Sequence, residues 1–143
     1  MLPTATKTEF SVTRIRVRYA ETDQMGVVYY ANYLIWMEVA RVDYCQALGF
    51  RYKDLEIDHG VLLAVTEANC RYLSPARYDE EVEIRTTISR ANRRVVTFDY
   101  EMRSVSTGAR LATGFTSHIF LNREMRPTTL PVQFQRLFGI TER

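Results

Sequence analysis

Cysteine is scarce in this chain of 143 residues: only Cys45, in a helical pattern, and Cys70, in a strand pattern, occur, and neither belongs to a CxxC. That excludes a disulfide framework and leaves two reduced, buried thiols as the reading. Histidine is as scarce. With only His59 and His118, no spacing supports a metal site, and the chain contains no GxSxG elbow, Walker loop, GxGxxG or HExxH. His118 falls in strand register with Thr116 and Phe120 and reads as structural, while His59 stands in a charged loop beside Gly60 and reads as solvated. No apolar run approaches the roughly 18 residues that span a bilayer, and no basic start with a long apolar stretch opens the chain. It therefore reads as a soluble, cytoplasmic protein without a membrane span. An excess of one charge is also lacking: the net charge of +2 argues against a nucleic-acid partner. A charged fraction of 25% and a hydrophobic fraction of 46% are ordinary and exclude disorder and low complexity.

What is present fits one domain over residues 1–143, with a flexible lead-in at 1–9 and a tail at 132–143. From Phe10 to Tyr19, Ile15, Val17 and Tyr19 alternate with Arg14, Arg16 and Arg18, which predicts a strand with one buried face. After a loop over 20–30, Tyr33, Trp36, Met37, Ala40, Tyr44, Ala47 and Leu48 recur at helical spacing. Leu34, Ile35, Val39 and Val42 add a second apolar stripe. So broad an apolar surface predicts a buried helix, stopped at Gly49, and exceeds what one sheet face needs, which points to a homodimer. Residues 50–60, with Lys53, Asp54, Glu56, Asp58 and His59, read as an irregular charged connection outside the core.

Beyond Gly60 the chain reads as sheet: Val61 towards Leu73, then Glu81–Ile88 with Val82, Ile84, Thr86 and Ile88 on the buried face. A turn at Ala91–Arg93 leads to a strand with Val96, Phe98, Tyr100 and Met102 inside, and a turn at Ser106–Gly108 to a last strand. There Ala109, Leu111, Thr113, Phe115, Ser117, Ile119 and Leu121 are the expected inner face. A short helix is expected near Phe134 to Phe138. The order predicts an α+β fold, an antiparallel sheet wrapped around one long helix.

With the histidines set aside, carboxylate chemistry remains. Asp23 lies between a strand end and a helix start, three residues before Gly26, which lets backbone come close to a ligand. An aspartate here equally caps a turn. As a carboxylate ionised at neutral pH, it can serve as base or nucleophile towards an activated acyl group. Free N–H groups of the helix that begins near Ala31 can receive the oxyanion.

The run Tyr19-Ala20-Glu21-Thr22-Asp23-Gln24-Met25-Gly26-Val27-Val28-Tyr29-Tyr30-Ala31-Asn32-Tyr33, followed by Trp36, Glu38 and Arg41, resembles the active-site segment of the 4-hydroxybenzoyl-CoA thioesterase family of hotdog-fold proteins, especially its YbgC-like acyl-CoA thioesterase members. A second matching segment is Tyr72-Leu73-Ser74-Pro75-Ala76-Arg77-Tyr78-Asp79-Glu80, and the likeness extends over about residues 10 to 131. The resemblance implies a five-stranded antiparallel sheet around a long helix, dimers or tetramers joined with active sites at the subunit interface, and hydrolysis of acyl-CoA without metal or organic cofactor. It matches Asp23 to the family's catalytic aspartate and Tyr30 to the position whose backbone N–H polarises the thioester carbonyl. Some YbgC-like members carry His where this chain has Tyr30.

Around these residues, Glu21 reads as a solvated or ion-paired loop residue, Glu38 as the i,i+3 partner of Arg41, and Tyr29 and Tyr33 as acyl-pocket lining or core. Arg71, Arg77, Arg90, Arg93 and Arg94 are candidates for the CoA phosphates. Two rivals keep the fold and change the role: a dehydratase-like hotdog protein, which would want a histidine that the segment lacks, and a non-catalytic thioester-binding scaffold.

Overall fold

A computed structural model describes residues 10–140; the lead-in at 1–9 and the last three residues of the tail lie outside the described residues. Five strands, β1 (Ser11–Arg16), β2 (Leu62–Tyr72), β3 (Glu81–Ala91), β4 (Val95–Ser104) and β5 (Arg110–Leu121), form one antiparallel sheet in the order β1-β3-β4-β5-β2. The long helix α1 (Asn32–Leu48) lies on one face, as the hotdog resemblance implies. Two short helices, α2 (Tyr52–His59) and α3 (Val132–Leu137), follow α1 and end the described chain. Among the described residues no helix is long and apolar enough to cross a membrane.

The core is the contact between α1 and the inner sheet face. Tyr33, Trp36, Met37, Ala40, Tyr44 and Cys45 of α1 are buried, and so are Val82, Ile84, Val96, Phe98, Tyr100 and Met102 of the central strands. Burying side chains of this size stabilises the fold by about 1.5–3 kcal/mol each. Gly49 stops the helix as expected, at φ +117°, its N–H donating to the carbonyls of Cys45 and Gln46. The second apolar stripe stays largely uncovered in the single chain, with Leu34, Ile35 and Val39 exposed.

Four expectations need correction. β1 does not run to Tyr19. The ladder reaches Val17, which exchanges hydrogen bonds with Glu80 and Asp79; the next N–H, of Arg18, is captured by the Glu21 carboxylate. The chain therefore turns into a 3₁₀ segment at Tyr19–Glu21, and Tyr19 is left 77% exposed. Residues 52–59 form helix α2 instead of an irregular connection, anchored by the fully buried Leu55 and closed by the Arg123 guanidinium donating to the Ile57 carbonyl at 2.8 Å.

On β5 the inner face is Ala112, Gly114, Thr116, His118 and Phe120, opposite Met102, Tyr100, Phe98 and Val96. Apolar count points to the odd positions, but closeness to α1 decides: a Cβ on Gly114 would stand 2.6 Å from Met37 Cε and collide with the Asn69 carbonyl. The inner face of β5 must be small there, so Phe115 and Ile119 are turned outward. Finally, Glu38 and Arg41 do not pair. Glu38 is exposed, whereas Arg41 is buried and its guanidinium donates to Tyr100 Oη at 3.2 Å and Thr116 Oγ1 at 3.3 Å.

His118 completes this polar core, bonded through Nε2 to Thr116 Oγ1 at 2.9 Å. Burial, and then the Arg41 charge, push its pKa down to about 3, so the folded protein holds it neutral. In the unfolded chain it takes up a proton near pH 6.5. Its contribution to stability is therefore complete above that pH and is lost as pH falls towards the folded value. Denaturant unfolding at pH 7 and pH 5 checks this: the loss of stability should be about 2 kcal/mol smaller for His118→Gln than for the wild type, and equal losses would refute the assignment.

Candidate active site

The residues of the first segment form a loop held at both ends. Glu21 is buried, and its carboxylate accepts from the Arg18 N–H at 2.8 Å, the Arg18 guanidinium at 3.0 Å and Trp36 Nε1 at 3.0 Å. Burial pushes this carboxyl up, but the bonds from Arg18 and Trp36 outweigh it and hold the pKa below the ordinary value. The Glu21 carbonyl accepts from the Tyr29 N–H and from Asn32 Nδ2, both at 2.8 Å. Glu21 is thus ion-paired as one alternative had it, but it is a buried clamp between loop and helix and not a solvated side chain.

Between Thr22 and Val28, which form an isolated bridge, the chain makes a tight turn. The Asp23 N–H donates to the Val27 carbonyl, and the Gly26 N–H to the Asp23 carbonyl, both at 2.9 Å. Asp23 Oδ1 accepts from the Met25 N–H at 2.9 Å, so one oxygen caps the turn; Oδ2 has no partner among the described residues. Gly26 has φ +81° with open space where a Cβ would be. The left-handed backbone, and not crowding, calls for glycine there.

After the turn the chain enters α1. Asn32 N–H donates to the Tyr29 carbonyl at 2.9 Å and Tyr33 N–H to the Tyr30 carbonyl at 3.3 Å. The N–H groups of Tyr30 and Ala31 have no acceptor among the described residues, and no side chain caps the helix. Two free donors at the positive end of a 17-residue helix make an anion-binding position.

The second segment packs directly on this loop. Val28 N–H donates to the Ala76 carbonyl at 2.8 Å, Val27 bridges Arg77, and Ala76 N–H donates to Tyr33 Oη at 3.4 Å. Together they enclose a cavity of about 370 Å³ whose lining includes Asp23, Tyr30, Tyr33, Tyr72, Leu73 and Pro75. A second cavity of about 650 Å³ has Tyr19, Gly26 and Tyr78 in its wall, and Asp23 belongs to both linings.

Asp23, Gly26 and Tyr30 are therefore brought together. Arg77 lies beside the loop through its bridge to Val27, and Arg71 precedes Tyr72 on β2; both are exposed. Arg90, Arg93 and Arg94 sit at the β3–β4 hairpin. The loop adjoins the Glu81 end of β3, which pairs with Arg16, and the hairpin is ten residues further along, about 33 Å by strand rise. One chain does not bring these three arginines to Asp23. Tyr33 serves both readings made of it, buried and lining the cavity. Tyr72 was not assigned a role from sequence; only its place in the second segment marked it. Cys45 is buried with its thiol pushed up to about 12 by burial, and the Cys70 thiol is raised by burial as well, so neither is an activated nucleophile. Among the described residues no three His, Cys, Asp or Glu side chains converge to hold a metal ion.

Comparison with known proteins gives a consistent picture. The profile of the thioesterase-like superfamily matches residues 17–138. YneP of Bacillus subtilis, named provisionally as an acyl-CoA thioesterase, is 40% identical over 128 residues, 90% of this chain and 89% of its own length. The acyl-CoA thioesterase YbgC of Haemophilus influenzae is 27% identical over 124 residues, 87% of this chain and 90% of its own. Among solved structures, the DHNA-CoA thioesterase of Staphylococcus aureus superposes with a TM-score of 0.87 at 35% identity, covering 91% of this chain and 89% of that one.

The clamp at Glu21 makes a direct prediction. Glu21→Gln removes the charge from three hydrogen bonds and should cost about 1–3 kcal/mol of stability. Trp36 is the single tryptophan, so its emission should shift as the indole loses the charge of its carboxylate partner. Denaturant unfolding followed by Trp36 fluorescence measures both, and a variant as stable as the wild type with unchanged emission would contradict the clamp.

Proposed function

The chain belongs to the thioesterase-like superfamily and is a thioester hydrolase, and from that premise we propose that it cleaves acyl-CoA in the cleft shared by Asp23 and the start of α1. The observation that carries this reading is that Asp23, with a free carboxylate oxygen, and Tyr30, with a free N–H, line one cavity. The thioester carbonyl oxygen lies against the N–H of Tyr30, which polarises it. Asp23 either removes a proton from a water that attacks the carbonyl carbon, or attacks that carbon itself to form an anhydride that water opens. In both routes negative charge gathers on the carbonyl oxygen at the helix N-terminus, the C–S bond breaks, and CoA leaves as thiolate, later taking up a proton. Thiolate is a good leaving group, so a carboxylate and an oxyanion site suffice without a general acid. Gly26 supports the turn that presents Asp23.

The wall formed by Tyr30, Tyr33 and Tyr72 suits a flat aroyl group as well as a short acyl chain. The Staphylococcus aureus neighbour acts on DHNA-CoA, which supports including aroyl thioesters among the substrates.

The working unit in this reading is at least a homodimer. β2 is an edge strand of 11 residues, exposed over much of its length, and long bare edges invite pairing. Antiparallel pairing of two β2 strands about a two-fold axis sets the Tyr72 end of one beside the Leu62 end of the other. Leu62 pairs with Leu121, and Ile119 with Val95, so the β3–β4 hairpin of the second copy comes to the end of the sheet that holds Asp23. Arg90, Arg93 and Arg94 of the partner subunit then serve the CoA phosphates, with Arg71 and Arg77 of the same chain nearer the thioester.

Turnover of a panel of acyl- and aroyl-CoA thioesters by the wild type and Asp23→Asn tests the chemistry. Asp23→Asn should lower kcat by roughly 100-fold or more with unfolding unchanged, and a variant that turns over normally would refute the assignment. Arg93→Ala and Arg94→Ala should raise KM for acyl-CoA but not for an acyl thioester lacking the nucleotide; equal effects on both would remove the arginines from the phosphate site.

A further inference from the structure

We propose that Tyr72 is a positioning residue whose phenol fixes the peptide unit at the start of α1, so that the Ala31 N–H acts as a second donor to the oxyanion beside that of Tyr30. The inference rests on the thioesterase reading of the cleft and adds a residue and a donor to it.

Tyr72 is the last residue of β2, and its hydroxyl donates to the Tyr30 carbonyl at 3.0 Å across 42 positions of sequence. Its ring meets Tyr33 edge-on at 5.0 Å and Tyr30 edge-on at 6.3 Å between centroids, forming one wall of the cavity that Asp23 lines. The Cys70 thiol stands beside the same hydroxyl. Burial raises the phenol pKa, so the group remains a proton donor through the neutral and mildly alkaline range.

The consequence follows from peptide planarity. In a trans peptide the C=O and the N–H of the next residue point in opposite directions, so whatever grips a carbonyl aims the N–H behind it. The Tyr29 carbonyl is gripped by the Asn32 N–H at 2.9 Å, which aims the Tyr30 N–H out of the helix. Besides Tyr72, the Tyr30 carbonyl receives a long bond from the Tyr33 N–H, 3.3 Å. Without Tyr72 the peptide between Tyr30 and Ala31 would be weakly held in the first, fraying turn. With it, the Ala31 N–H is aimed beside that of Tyr30. A carbonyl that accepts a hydrogen bond also makes the N–H of the same peptide a stronger donor. Two donors, both preorganised, bind the developing oxyanion more tightly than the substrate carbonyl, which is a transition-state effect and acts on kcat.

Tyr72→Phe keeps the ring and removes only the hydroxyl. It should lower kcat about tenfold while leaving KM within about twofold, as expected when an interaction realised in the transition state is lost. In the free protein the Ala31 amide should shift in the ¹H–¹⁵N spectrum, with the Tyr30 amide less affected. Tyr72→Leu, which also removes the wall, should raise KM in addition. A Tyr72→Phe variant with wild-type kcat, or one whose loss lies wholly in KM with the Ala31 amide unmoved, would overturn the inference. Asp23→Asn run in parallel separates the two levels: if that variant is inactive while Tyr72→Phe is fully active, the positioning role fails and the thioesterase site stands, and if Asp23→Asn is active the site itself fails.

Discussion

The buried carboxylate of Glu21 is the interaction on which the site's geometry depends. It takes the Arg18 N–H out of the β1 ladder, pairs with the guanidinium of the same residue, and reaches the Trp36 indole one turn into α1. A carboxylate removed from water is costly unless it is fully bonded, and here each bond also fixes a chain direction. The strand ends where Glu21 demands it, the turn carrying Asp23 begins there, and α1 is held at a set distance through Tyr29 and Asn32 on the Glu21 carbonyl. The Asp23 carboxylate is thus placed by a neighbour two positions earlier.

The sheet supplies the opposite wall. The segment after β2 lies against the loop through Val28 and Ala76, so the two stretches of sequence that carry the family resemblance are two sides of one cleft. Below them the core is less apolar than its periodicity suggests. Arg41, Tyr100, Thr116 and His118 form a hydrogen-bonded network between α1 and the sheet. Such a network contributes registry between helix and strands as much as stability, because a shift of α1 along the sheet would leave buried donors unpaired.

Much of this was legible in the sequence. Period-two and helical patterns placed β1, α1, β3 and β4, and Gly49 marked the end of α1. Asp23 and Gly26 stood out as a loop carboxylate and a turn glycine ahead of a helix, and Tyr30 was marked by the family resemblance; because they lie within one short stretch, the fold keeps the three near one another. What was not legible depended on tertiary proximity. The inner face of β5 was misjudged because the closeness of Met37 to Gly114 selects small residues over apolar ones. The Glu38–Arg41 pair failed because helix spacing permits it but a network of hydroxyls in the core claims the guanidinium. Helix α2 escaped notice because a single buried leucine, Leu55, anchors eight mostly charged or polar residues. The arginines were grouped by charge alone, and strand register separates Arg71 and Arg77 from Arg90, Arg93 and Arg94.

In the proposed reaction the helix N-terminus beside Asp23 polarises a thioester carbonyl. The most direct measurement is the ¹³C resonance of an aroyl-CoA labelled at its thioester carbon, bound to the Asp23→Asn protein so that it is not hydrolysed. Hydrogen bonding from Tyr30 and Ala31 predicts that the carbonyl resonance moves downfield on binding. A resonance at its free position when the protein is saturated would show that the helix start does not touch the carbonyl, and would overturn the proposed mechanism.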